Sequence, residues 1–241
     1  MPSSALCWRS SPKGTRRRQD SVRWTLQCTL AASTLAVMAE DRDIAHFDRW
    51  SSHYDRSILQ RFFFGPVQKA TISEAVINAR SVEAVLDVGC GTGQLLRRMV
   101  DQFPDAELVG VDPAPGMVRQ ARAALADGRR IEFVNGSVEK LPFPDAHFDL
   151  VLTTLSFHHW ADQQQGLREI RRVVRDGGLF VLTDIVAARW LRWLLARPSQ
   201  GRFNSPVVLD RMLEDQNFRT VRRASVPWRP QIKITLARAE K

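Results

Sequence analysis

Cysteine is scarce in this 241-residue chain: Cys7, Cys28 and Cys90 share no pairing or metal-ligand spacing. That excludes a disulfide scaffold and a zinc centre, and it suits a reducing cytoplasm. Tyrosine is scarcer still. The single one, Tyr54, has Ile58 four positions on, so the Tyr/Lys pair of one class of hydride-transfer enzyme is missing. No stretch approaches the ~18 consecutive apolar residues of a membrane span. The core also lacks a basic patch interleaved with aromatics, and with it the usual footprint of nucleic-acid binding. The net charge of +9 does not restore that footprint. Residues 1–38 carry six basic residues and one acid, so over half of the excess lies there. The remaining arginines are scattered as on solvated helix faces.

What is present is a glycine loop in a telling context. Val85-Leu86-Asp87-Val88-Gly89-Cys90-Gly91-Thr92-Gly93 runs from an apolar strand, through an acid, into a turn with alternating glycines. A helical pattern follows from Gln94. Glycine is required where backbone must turn sharply and approach a ligand with no Cβ in the way. Loop amides at a helix start then face that ligand. A second strand, Glu107 to Val111, ends at Asp112, 19 positions after Gly93. A ribose-gripping acid is expected about 20 residues on in nucleoside-binding folds, and a carboxylate can accept from two vicinal hydroxyls. The dinucleotide pattern G-x-G-x-x-G is not met, because the glycines stand at 89, 91 and 93. With the missing Tyr/Lys pair, this argues against a nicotinamide enzyme.

The segment Val85–Gly93 resembles the first motif of class I S-adenosylmethionine-dependent methyltransferases, an apolar run followed by D-x-G-x-G-x-G. Three further stretches carry the same resemblance in the same order: 133–143, 148–160 and 167–178. The nearest subgroup is the small-molecule methyltransferases of the ubiquinone/menaquinone-biosynthesis type. Two positions depart from the pattern: Ser137 stands where an acid is common, and Asp176 where proline is common. Aspartate before glycine still suits a turn.

The resemblance implies a Rossmann-like α/β fold, a doubly wound, seven-stranded, mainly parallel sheet with an antiparallel final strand and helices on both faces. Alternating strand and helix patterns point the same way. Strands are expected at 84–88, 107–111, 131–134, 148–152, 178–184, 218–226 and 231–237, the last two as a hairpin. Core helices are expected at 94–101, 115–125, 162–174 and 207–215, after earlier ones at 45–50, 57–64 and 73–79. Residues 39–80 form a helical cap, and 81–241 form the cofactor-binding domain. Residues 1–38 read as a disordered tail or as sequence upstream of initiation at Met38. A targeting segment cleaved near Val37-Met38-Ala39 is the rival. The insertion at 187–205 mixes tryptophans with arginines: a lid over the acceptor pocket, with a membrane-surface helix at 187–203 as the alternative.

The resemblance further implies S-adenosylmethionine as cofactor and a small-molecule acceptor, with hydrophobic acceptors among the candidates. Asp87, Gly89, Cys90, Gly91 and Gly93 would line the methionine side. Asp112 and Pro113 would lie at the ribose, Met117, Ser137 and Val138 at the adenine, and Leu155 near the sulfur. Tyr54 is a candidate at the methionine end. His158 and His159 follow the fourth strand and are the candidate general bases, since imidazole titrates near neutrality; one of the two is expected to be structural, packed with Trp160. No metal is expected. Acting as a monomer or homodimer, the chain transfers a methyl group on this reading. The alternative is a regulatory protein that binds the cofactor without catalysis.

Overall fold

The computed structural model describes residues 63–125, 130–186 and 203–241. The expectations for 1–38, for the helix at 45–50 and residues 57–62 of the helix at 57–64, for Tyr54 and for residues 187–202 of the insertion lie outside these residues.

Seven strands form one sheet in the order β3-β2-β1-β4-β5-β7-β6. They are β1 (Ala84–Val88), β2 (Glu107–Asp112), β3 (Ile131–Asn135), β4 (Phe148–Thr154), β5 (Val174–Ile185), β6 (Phe218–Val226) and β7 (Arg229–Ala239). β1 pairs in parallel with both β2 and β4. β7 runs antiparallel to both β5 and β6, so the expected C-terminal hairpin is present and its last strand lies inside the sheet.

Side-chain alternation produces a layer on each face. Leu86, Val88, Val109 and Val111 point to one face and meet Leu167, Ile170, Leu209 and Leu213. Val85, Leu108 and Leu150 point to the other and meet Val67, Leu95, Leu96, Val118 and Ala121. The first face is covered by α4 (Gln163–Val173) and α5 (Pro206–Glu214). The second is covered by α1 (Gly65–Asn78), α2 (Gln94–Met99) and α3 (Pro115–Ala123). All five residues of β1 are buried, as expected for a parallel strand covered on both sides.

Two elements differ from expectation. α1 runs from Gly65 to Asn78, longer than the helix expected at 73–79. Gly65 and Pro66 resemble helix breakers, yet proline is well suited to a first turn, where its missing N–H has no helical partner to lose. β5 starts at Val174, before the turn, and its pairing with β4 shifts register between Phe148 and Leu150. Gly177 takes a φ of 75° at that turn, and Asp176 beside it pairs with Arg171 at 2.7 Å.

Candidate active site at the switch point

The chain lays β1, β2 and β3 outward in one direction and then returns to place β4 on the other side of β1. Open α/β sheets bind ligands at this reversal, beyond the carboxyl ends of the strands. A cleft lies there, enclosing about 1160 Å³ of space that is partly open to solvent.

The loop after β1 forms its floor. Gly89, Gly91 and Gly93 all take positive φ, at 72°, 54° and 74°. A Cβ on Gly89 would fall 2.3 Å from Ser156 Oγ, and one on Gly93 would fall 2.3 Å from Phe133 Cζ. A Cβ on Gly91 would meet nothing within 4 Å, so the space above it belongs to the cleft. The amides of Gly89 and Cys90 both donate to Val111 O, at 2.8 and 3.1 Å, holding the loop against the end of β2.

Asp112 ends β2 and binds the same loop. Its Oδ2 accepts from the Gly91 amide at 2.8 Å, and Oδ1 from the Ala114 amide at 2.9 Å. Each oxygen keeps further lone-pair capacity for a hydroxyl. Burial raises its pKa to about 6, with the Ala114 and Gly91 amides opposing the rise. Asp87, next to last in β1, is 2% exposed. Burial, followed by the charge of Asp112, pushes its pKa up to about 8. Two other polar atoms of the cleft are buried without a hydrogen-bond partner, Gln68 Oε1 on α1 and Thr154 Oγ1 at the end of β4. A protein leaves buried acceptors unpaired only at a cost, and such atoms mark a place for a donor. Burial also lifts the Cys90 thiol well above its ordinary value, followed by the charges of Asp112 and Asp87, which suits a packed side chain and not a nucleophile.

The turn after β4 forms the far wall. Leu155 takes a φ of 56°, a strained conformation for a branched side chain, held by its amide donating to Thr183 O at 2.8 Å. Ser156 ties this turn together: Oγ donates to Val88 O at 3.2 Å and accepts from Trp160 Nε1 at 3.1 Å.

The two histidines part company here. His159 lines the cleft. His158 is not among the lining residues. Its Nδ1 lies 2.7 Å from Asp184 Oδ1, its backbone amide donates to Asp184 Oδ2 at 3.0 Å, and its ring stacks on Phe203 at 4.8 Å. The cleft therefore gathers Asp87, Gly89, Cys90, Gly91, Asp112, Pro113, Met117, Ser137, Val138, Leu155 and His159. Gly93 lies behind it, at the start of α2. Residues that sequence reasoning missed are Gln68, Thr154, Glu139 and Asp184. An acid stands last or next to last in β5 as in β1 and β2, and that repeated position was the available signal for Asp184.

A doubly wound sheet with a glycine loop at its switch point defines a nucleoside-cofactor domain. Comparison with known proteins sharpens that class. Residues 86–182 match the family described as a methyltransferase domain. A demethylmenaquinone methyltransferase of Deinococcus radiodurans is 40% identical over 118 residues, covering 48% of each chain. A malonyl-[acyl-carrier protein] O-methyltransferase of Geobacter sulfurreducens is 38% identical over 137 residues, 56% of this chain and 49% of that one. The matched stretches thus span about half the length of these relatives. Among solved structures, a chain from the complex of the Haloferax volcanii Trm112 methyltransferase activator with its methyltransferase superposes with a TM-score of 0.68. It shares 22% identity over 81% of this chain and 98% of that one, which speaks for the fold alone. Residues 86–182 thus resemble a methyltransferase domain, and that resemblance implies S-adenosylmethionine as the cofactor.

The residues present fit that cofactor. Its ammonium and sulfonium want acceptors, and Asp87, Gln68 Oε1 and Thr154 Oγ1 are available. Its ribose wants a two-oxygen acceptor, which the Asp112 carboxylate has the form to be, and the open space over Gly91 leaves room for it.

Proposed function

We propose that the protein transfers a methyl group from S-adenosylmethionine to a small-molecule acceptor. The observation that carries this reading is the set of unpaired buried acceptors beside the glycine loop, which a cationic donor would satisfy. Two relatives are named for methylating demethylmenaquinone and malonyl-[acyl-carrier protein], which supports a small-molecule acceptor. No helix among the described residues is long and apolar enough to cross a membrane, and we assign the reaction to the cytoplasm.

The cofactor supplies an electrophilic methyl group. Gly91, Asp87, Gln68 and Thr154 hold its charged end, and Asp112 holds the ribose. Leu155 and Trp160 exclude water from the far wall of the cleft. Fixing donor and acceptor in line in this way lowers the barrier mainly through positioning, an effect that can reach several kcal/mol. His159 takes the acceptor's proton, since it is the histidine that lines the cleft. His158 is a positioning residue, clamped by Asp184 behind it.

The test is calorimetry with S-adenosylhomocysteine, followed by labelled-methyl transfer to a panel of quinols and acyl thioesters. Binding with turnover of one panel member is expected. Binding without turnover of any acceptor supplied, cell extract included, would favour the non-catalytic cofactor-binding reading. An absence of binding would remove both.

A further inference from the structure

We propose that the tip of the β6–β7 hairpin, Pro227-Trp228-Arg229-Pro230, docks the protein on an anionic lipid surface, with the Trp228 ring entering the interface. The inference goes beyond the methyl-transfer reading and stands independently of it.

The tip departs from what folding alone asks. Val226 pairs with Arg229, so two residues, Pro227 and Trp228, make the turn. Proline holds its own φ at about −65° and suits the first central position. The type II turn that proline favours there puts a positive φ at the second position, where glycine or asparagine is expected. Trp228 stands in that place with a φ of 62°, and it is 96% exposed. A bulky side chain on left-handed backbone costs folding energy, and this ring recovers none of it by packing. Strain kept without a packing return points to a contact made outside the chain. Among the described residues, Trp228 is also the only aromatic of the large exposed hydrophobics.

The tip shares an edge of the sheet with the cleft. Ile185, the last residue of β5, pairs with Ile232, so the start of β7 reaches past the carboxyl end of β5. β7 stands two places from β4, whose carboxyl end carries Thr154 and Leu155 of the cleft. The Arg229 guanidinium lies over Phe63, 5.1 Å from the ring centroid. Phe63 meets Phe64 edge-on at 5.3 Å, and Phe64 lines the cleft. The charge here is of one sign: residues 216–239 hold six basic residues and no acid. Farther from the tip, Arg219, Arg222 and Arg223 pair with Glu240, Glu74 and Asp210. Nearer to it, Arg229 lies on an aromatic ring, and the Lys233 ammonium donates to the uncharged Ser225 hydroxyl at 2.7 Å. Tryptophan settles at the headgroup level of a bilayer, and basic side chains beside it are drawn to anionic lipid. A stable protein interface buries about 800 Å² per partner, more than one turn offers, whereas a soft anionic surface needs only the ring and the charges. On the methyl-transfer reading, docking in this way turns the cleft toward an acceptor carried in the bilayer.

The test is co-sedimentation of the full chain with vesicles of equal parts phosphatidylglycerol and phosphatidylcholine, against vesicles of phosphatidylcholine alone. The wild type is expected to bind the anionic vesicles at least about tenfold more tightly, and to lose most of that preference at about 1 M salt. W228G removes the ring and supplies the residue that the turn favours. Its Tm should therefore hold or rise by about 2–4 °C, while its affinity for anionic vesicles falls at least about fivefold. W228F keeps a ring and should stay within about threefold of the wild type. K233Q, with one charge fewer, should bind about fivefold more weakly at low salt. Failure of the wild type to bind anionic vesicles overturns the proposal, as does W228G binding them like the wild type. A dimer that W228G dissolves in analytical ultracentrifugation also overturns it, assigning the ring to a second copy of this chain. Titration with S-adenosylhomocysteine reads the cofactor separately, so failure of the docking and failure of the methyl-transfer reading are distinguishable.

Discussion

His158 Nδ1 and Asp184 Oδ1 meet at 2.7 Å, joining the turn after β4 to the end of β5 beneath the cleft wall. The Asp184 side chain is 4% exposed and that of His158 11%, so this pair is part of the framework. His159, the next residue, lines the cleft.

That division predicts opposite phenotypes. H159A should lower turnover at saturating cofactor by about 10²- to 10⁴-fold, the usual worth of a positioned proton acceptor. Affinity for S-adenosylhomocysteine should stay within about twofold. H158A should instead cost about 1–3 kcal/mol of folding stability, because Asp184 loses a buried partner. Chemical denaturation and single-turnover rates separate the two. Unaltered turnover in H159A would remove its role as base.

Asp87 links pH to both stability and loading. Its carboxyl titrates near 8 when folded, against 3.8 ordinarily. Between those values the ligand-free folded state keeps a proton that the unfolded state has lost, so stability falls as pH rises through the window. Asp112 adds to the fall between 3.8 and about 6. D87N should flatten the part above 6. It should also raise Tm at pH 8 by at least about 2–4 °C, the effect of about 1 kcal/mol in a domain of this size. Cofactor binding runs the other way. A cationic ligand favours ionised Asp87, so wild-type affinity should rise from pH 6 to 8 and D87N should lose most of that rise. Thermal scans and titrations across pH check both slopes.

Gly91 and Gly93 should not respond alike to alanine. At Gly93 a Cβ would sit 2.3 Å from Phe133 Cζ, on a backbone with φ of 74°. G93A should therefore cost about 2–4 kcal/mol, from left-handed strain plus overpacking. G91A has open space around it and should cost only about 1–2 kcal/mol. Since that space lies in the cleft, its main effect should be on cofactor affinity, by about tenfold or more. Equal stability losses with no affinity gap would contradict the geometry.

Arg172 on α4 donates to Leu141 O at 2.9 Å, to Phe143 O at 2.7 Å and to the Glu169 and Asp145 carboxylates at 2.7 and 2.8 Å. It clamps the segment that follows Ser137 and Glu139. R172K keeps the charge and loses the planar fork, so a loss of about 1–2 kcal/mol is expected. Denaturant midpoints of R172K and wild type decide it.

Much of the framework was legible because its determinants are local. Alternating burial, an acid at the strand end and glycines at 89, 91 and 93 are all readable within a dozen residues, and the strands fall within a few positions of expectation. What escaped was assembled over distance. Phe133 fills the space above Gly93 from a strand 40 positions on. Asp184 reaches His158 across 26 positions. Gln68 lies on a helix whose opening Gly65-Pro66 imitates a break.

The order β5-β7-β6 has a consequence for synthesis. Phe218–Val226 leaves the ribosome before Arg229–Ala239, yet its neighbour in the sheet is that later strand. β6 therefore cannot dock until β7 has been made and has slotted against β5. Up to that moment the growing chain ends its sheet at β5, with a row of unpaired amides and carbonyls from Leu179 to Ile185 exposed as a sticky edge. Completing the far side of the sheet is thus one concerted step that waits for Arg229–Ala239.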